Sequence, residues 1–183
     1  MIVPSFLTAP QALLLPCGTR VSWELSHEGL KRINLTMTGV QDKPTHDSSV
    51  LTTELQELNQ AVSQALTAYF MGKARHCLAL PLAPLSGTPF QRAVWQALPH
   101  IAYGQTVSYR TLTKRLAGAG ICKPGAVRAV GQALAKNPLP IVLPCHRVIT
   151  ESGKLGGYMG GSATTGPAAL NLKQWLLDLE KST

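Results

Sequence analysis

The stretch SYRTLTKRLAGAGICKPGAVRAVGQALAK, Ser108–Lys136, sets the architecture of the second half of this 183-residue chain. Ser108 is a good N-cap, and Leu112 and Leu116 follow one turn apart on a single face. Gly118 and Gly120 interrupt that helix, and Pro124 can start another, predicted over 124–136, with Val127, Val130 and Leu134 on its inner side. Two short helices joined by a Gly-containing turn form a helix-turn-helix pattern, which an ordinary helical hairpin shares. The outer face of the second helix carries Ala126, Arg128, Ala129, Gln132 and Lys136, with Gly131 nearby. Such small side chains cannot read the donor and acceptor code of a major groove, but they let a helix settle into a narrow minor groove while one guanidinium reaches between bases. The expected partner is double-stranded DNA, bound through the minor groove without regard to sequence.

The charge distribution points the same way. Lys and Arg number 17 against 9 Asp and Glu, a formal net charge of +8. Residues 1–85 are balanced, so residues 86–183 carry the whole excess, and no Asp or Glu occurs from Leu58 to Thr150. A field of one sign over that length favours a polyanion, since each cation near a phosphate releases condensed counterions. No apolar run is long enough to span a membrane and no basic region precedes an apolar stretch at Met1, so a soluble, cytoplasmic chain is expected. Reduced thiols are then expected at Cys17, Cys77, Cys122 and Cys145. With no C-x-x-C or H-x-x-x-H pair, no metal and no cofactor is expected either.

Upstream, Leu13–Cys17, the alternating Val21–Leu25 and the run Leu30, Ile33, Leu35, Met37 predict an antiparallel meander. Asp47, Ser48 and Ser49 offer N-caps for a long amphipathic helix, in which Leu51, Leu55, Leu58, Val62, Leu66, Tyr69 and Phe70 recur at spacings of three and four as core contacts. Leu78–Gly87, with Pro81 and Pro84, reads as a linker between an N-terminal α/β domain, 1–85, and a C-terminal domain, 86–183. Thr88, Pro89 and Gln91 then form a capping box opening another helix.

Downstream, Asn137-Pro138-Leu139-Pro140 ends the last helix of the pair, Ile141–Leu143 is expected as a short buried strand, and Pro144-Cys145-His146-Arg147 closes it. A thiol is a weak nucleophile at neutral pH unless a base or positive surroundings ionise it. His146 is the candidate base and Arg147 adds positive charge. Because successive side chains in extended backbone point apart, communication between Cys145 and His146 is expected through a bridging water. Glu151, Asp178 and Glu180 are the carboxylates available in this half to orient the imidazole. On adjacency alone, Cys145 fits a buried structural thiol as well as a nucleophile.

The whole string Asn137–Ile149 resembles the active-site signature of the O6-alkylguanine-DNA alkyltransferases, the direct-reversal repair proteins that accept an alkyl group on a cysteine. Gly87–Gln91 with Val94-Trp95, Gly104–Tyr109, Arg128–Gly131, Gly157-Tyr158 with Gly160-Gly161, and Lys173–Leu177 are similar to further family blocks, in the family's order. The resemblance implies an α+β protein, with an RNase H-like small antiparallel sheet plus helix followed by a mostly helical, winged helix-turn-helix-like domain. It implies that Cys145 accepts the alkyl group in a single turnover, that His146 acts through water as base, and that Glu180 orients the imidazole. Tyr109 would donate to guanine N3, Arg128 would fill the gap left by the flipped nucleotide, and Asn137 would tie the recognition helix to the active-site segment. Lys173 would lie near the thiol, and Tyr158 with backbone groups at Val148 and Met159 would hold the base. A monomer is implied, with cooperativity on DNA left open.

Three departures from the family pattern stand out. Gly118–Cys122 looks like an insertion in the turn of the helix-turn-helix. Met159 replaces a small residue and is expected to narrow the pocket, and Ser162–Ala169 reads as an inserted flap. A damage sensor without chemistry and a cysteine hydrolase with multiple turnovers are the competing readings.

Overall fold

The computed structural model describes residues 12–37, 52–76, 79–159 and 166–182. Three antiparallel strands, β1 (Ala12–Leu14), β2 (Thr19–Ser26) and β3 (Gly29–Met37), pair in the order β1-β2-β3, with Val21 opposite Leu35 and Trp23 opposite Ile33. Alternation decides the buried face: Val21, Trp23, Ile33 and Leu35 point into the core. Against them packs α1 (Thr53–Phe70), whose buried Asn59 accepts a hydrogen bond from the Trp23 indole at 2.8 Å. The sheet and helix thus match the meander and amphipathic stripe read from sequence. The helix begins at N-cap Thr52, while the caps expected at Asp47–Ser49 lie outside the described residues.

The Pro-rich run after α1 lies along β3. Leu30 N–H donates to Pro81 O (2.8 Å) and Ala83 N–H to Leu30 O (3.0 Å). Gly29 makes this approach possible: at φ +131° it adopts backbone that other residues avoid, and a Cβ there would sit 2.4 Å from Pro81 O.

In the second half, α2 (Pro89–Gln96) starts at the expected capping box, with both reciprocal Thr88–Gln91 bonds formed. Trp95 donates its indole N–H to Ala133 O at 2.8 Å, fixing α2 against the helix-turn-helix. That motif consists of α3 (Tyr109–Gly118), capped by Ser108, and α4 (Val127–Ala135). The second helix is shorter than the predicted 124–136: Pro124–Ala126 form a turn, and Ala126 stands at the N-cap of Val127–Ala135 without a side-chain cap bond. Two short strands, β4 (Val107–Ser108) and β5 (Val148–Ile149), pair in parallel and bring the start of α3 beside the Cys145 segment.

Two expectations are corrected. Ile141–Leu143 form no strand: they lie in a buried turn in which Ile141 has φ 76°, because Pro138, Pro140 and Pro144 remove ladder donors and Leu143 N–H folds back onto Leu139 O at 2.8 Å. Gly166–Ala169 are not a flap, since they form the first turn of α5 (Gly166–Lys181) with Ala169 buried. The rest of that run, Ser162–Thr165, lies outside the described residues. Among the described residues no helix is long and apolar enough to cross a membrane.

Candidate active site

Cys145, His146 and Arg147 form one short 3-10 turn between the Ile141 turn and β5, and all three are buried. Asn137 holds the approach to that turn. Its side-chain N–H donates to Leu143 O (2.8 Å) and its carbonyl accepts from Leu139 N–H (3.0 Å), so the segment just after α4 is tied to the turn.

A single carboxylate organises the groups behind Cys145. Of the three candidates, Glu151 is exposed and occupied by Ser108 and Arg110, and Asp178 is exposed beside Gln174. Glu180, buried on α5, is the one that meets the imidazole. His146 Nε2 lies 2.9 Å from its Oε1, Arg147 donates from Nη2 (2.8 Å to Oε1) and Nε (3.0 Å to Oε2), and Gly104 N–H donates to Oε2 (3.0 Å). Tyr69, from α1, donates its hydroxyl to Oε1 at 2.5 Å. Burial pushes the Glu180 carboxyl up, but the bonds from His146, Arg147 and Tyr69 outweigh it and hold the group well below the usual carboxylate range. It is an anion with its acceptor positions filled.

With a carboxylate at Nε2, that nitrogen carries the imidazole proton, leaving Nδ1 with the lone pair. His146 Nδ1 is buried and has no partner among the described residues. Burial lowers the imidazole's proton affinity despite Glu180, so the resting ring is neutral and suited to accept a proton. Burial likewise raises the Cys145 thiol, against the lowering influence of Asn137 and Lys173, so the resting sulfur is protonated. A protonated thiol close to a neutral imidazole calls for general-base activation rather than a standing thiolate.

Lys173, fully buried on α5, crosses behind β5 and the loop that follows it. Its Nζ donates to Val148 O (2.6 Å), Leu155 O (2.5 Å) and Gly157 O (3.2 Å), and burial brings its pKa down to about 8. The ammonium therefore fixes the strand and loop beside a cavity. That cavity, about 340 Å³, is lined by Cys145, Tyr109, Tyr158, Met159, Gly157, Leu134 and Ala135, with Arg128, Gly131 and Gln132 of α4. Tyr109 donates to Gly157 O at 3.2 Å, and the Tyr158 hydroxyl is buried without a partner among the described residues. Met159 adopts φ 50° at the cavity wall.

The predicted residues are thus gathered at one place, except Ala126 and Ala129, which lie on the α4 surface outside the cavity lining. Sequence reasoning missed Tyr69 and Gly104, and it credited Arg147 with charge alone. Tyr69 sat inside a hydrophobic stripe, where nothing distinguishes a phenol that packs from one that donates. Among the described residues no cluster of three or more His, Cys, Asp or Glu gathers, and Cys17, Cys122 and Cys145 are free thiols.

Residues 89–182 match the family described as 6-O-methylguanine DNA methyltransferase, DNA binding domain. A methylated-DNA–protein-cysteine methyltransferase of Methanosarcina acetivorans is 41% identical over 155 residues, 85% of this chain and 87% of that protein. The chain belongs to the methylated-DNA–protein-cysteine methyltransferase family. Solved methyltransferase structures agree with this in three dimensions. The Mycobacterium tuberculosis OGT in complex with DNA superimposes with a TM-score of 0.67 at 36% identity, covering 93% of this chain and 91% of that one. The Mycobacterium tuberculosis O6-methylguanine methyltransferase gives a TM-score of 0.70 at 35% identity with the same coverage. The small antiparallel sheet with helices described above is therefore the methyltransferase fold.

Proposed function

We propose that this chain repairs double-stranded DNA by direct reversal, moving the alkyl group of O6-alkylguanine, and of O4-alkylthymine, onto Cys145 in one irreversible turnover. One observation carries the reading: Cys145 and the exposed Arg128 face of α4 open onto the same cavity. A thiol rooted in the core cannot reach a base inside a duplex, so the damaged nucleotide must leave the stack, at a cost of a few kcal/mol that a mispaired base reduces. The small residues of α4 enter the minor groove without reading sequence, and Arg128 fills the vacated position.

Within the cavity Tyr109 donates to guanine N3, and Tyr158 and the backbone at Val148 and Met159 hold the base. His146 Nδ1 takes the thiol proton through a water. The sulfur forms a bond to the alkyl carbon as the carbon–O6 bond breaks, the electron pair staying with the guanine, which also receives a proton and leaves as the normal base. The product thioether is not hydrolysed, so each chain acts once and requires no cofactor. The same reading makes residues 1–85 an RNase H-like α/β domain and residues 86–183 a winged helix-turn-helix-like domain of a cytoplasmic monomer.

Intact mass after incubation with excess O6-methylguanine duplex tests the reading. A single CH2 increment in the wild type, absent from Cys145→Ala, is expected. Continued turnover would identify a hydrolase instead, and DNA binding without any increment a damage sensor.

A further inference from the structure

Among the described residues, the one polar group at the buried carboxylate that comes from the N-terminal half is the Tyr69 hydroxyl, and general repair chemistry gives it no task. Tyr69 lies in the last turn of α1 and is 1% exposed. Its ring is held edge-on by Phe70 (centroids 5.6 Å, 71°) and Tyr103 (6.1 Å, 87°), and Tyr103 in turn lies under the Arg147 guanidinium at 5.7 Å. Packing therefore fixes where the phenol oxygen sits. It is 2.5 Å from Glu180 Oε1 and 3.3 Å from His146 Nε2.

A phenol has one proton to donate, and an ionised carboxylate can only accept. The Tyr69 proton therefore points at Oε1. His146 Nε2 then faces two oxygens, the carboxylate Oε1 at 2.9 Å and the outward lone pairs of the phenol, and both demand that Nε2 carry the hydrogen. The alternative tautomer, with its proton on Nδ1, would place a bare nitrogen lone pair against them. Beyond Glu180, the charged and titratable neighbours do not specify this choice. Arg147 addresses Glu180 on other bonds, and Lys173 and Cys145 act on the imidazole through space.

We propose that Tyr69 is a positioning residue for alkyl transfer: by donating to Glu180 Oε1 beside His146 Nε2, it holds the imidazole in the tautomer and orientation that leave Nδ1 free to take the thiol proton. The inference rests on the repair reading and deepens it, because a side chain of the first half then sets the rate of chemistry in the second. Removing the hydroxyl takes one of the donors that place Oε1, leaving Arg147 and Gly104 to hold the carboxylate, and the imidazole loses one of the two acceptors that fix its proton.

The test uses the full-length protein in single-turnover reactions. Tyr69→Phe should slow the transfer constant at saturating O6-methylguanine duplex about tenfold, the scale of one hydrogen bond to a charged group. The half-saturating DNA concentration should stay the same, and free O6-benzylguanine should show the same factor. Site-specific 3,5-difluorotyrosine at position 69, which keeps both ring and hydroxyl, should restore most of the rate. An unchanged transfer constant in Tyr69→Phe, a loss confined to half-saturation, or a difluorotyrosine chain as slow as Tyr69→Phe would each overturn the proposal. If Tyr69→Phe does not fold, the ring-nitrogen chemical shifts of His146 in the unaltered chain decide. A protonated Nε2 with bare Nδ1 supports the assignment, and a protonated Nδ1 refutes it. Failure of the unaltered chain to transfer any alkyl group is a different outcome, and it removes the repair reading itself.

Discussion

Two groups of charges in the second half of the chain are treated in opposite ways. Around Glu180 every formal charge is buried and met: Arg147 makes three bonds to the carboxylate and one to Ile101 O, and Lys173 makes three to carbonyls. On the outer face of α4, Arg128 is exposed and makes no hydrogen bond or ion pair with the described residues. Burying a charge costs several kcal/mol unless partners replace water, so the inner group had to be saturated for the fold to exist. An exposed guanidinium carries no such debt and remains available to an external anion or base stack. Charge that shapes the site and charge left to solvent are thus separated by burial, although both belong to the same basic half.

The sharpest way to break this distinction is Glu180→Gln. Loss of the carboxylate strands the buried Arg147, and denaturant unfolding should show a loss of about 3 kcal/mol or more. The pH dependence has a definite sign. A carboxyl whose folded pKa is depressed stabilises fully above its ordinary value of 4.5, and that contribution drains as pH falls from there. The variant should therefore lose less stability than the wild type on acidification, and equal acid slopes would show that Glu180 is not the anchor.

Lys173→Met comes next, at about 1–2 kcal/mol, since three carbonyls lose their donor while the cost of burying an ammonium disappears. The slope has the same sign here, in a more alkaline window. With a folded pKa of about 8 against 10.5, the native state holds fewer protons than the unfolded chain between those values. Lys173 thus makes stability rise with pH across that window, and the rise should be smaller in the variant; the same slope in both proteins would refute the assignment. Arg128→Ala should change least in the fold. Its denaturation midpoint should stay where it is, while repair of duplex weakens more than reaction with free O6-benzylguanine. Equal losses on the two substrates would show that Arg128 has no role in extruding the base.

The sequence made the outer face easier to read than the inner group. Period revealed α1, and period with caps revealed α2 and α3, because Thr88 with Gln91 and Ser108 are local signals that need no tertiary partner. The Cys145 string pointed to its family, and Glu180 was named by its place after a Trp-Leu-Leu run. What stayed hidden depends on contacts between distant residues. Tyr69 and Glu180 are 111 positions apart, and no periodicity records which phenol in a helix stripe will meet a carboxylate. The misread strand at Ile141–Leu143 has the opposite cause. Three apolar β-branched and aliphatic residues do suggest a strand, but the prolines around them and the Asn137 side chain impose a turn.

The Pro81–Ala83 run bears on any attempt to re-engineer this chain. Stitched to Leu30 on both sides and pressed against Gly29, it behaves as a fourth edge to the sheet rather than a tether. Ile33 N–H also reaches across to Pro138 O at 2.9 Å, just ahead of the turn that carries Cys145. A spacer, tag or fusion joint placed between Pro81 and Ala83 would not lengthen a leash between two halves. It would unpick the seam that binds this run to the start of β3.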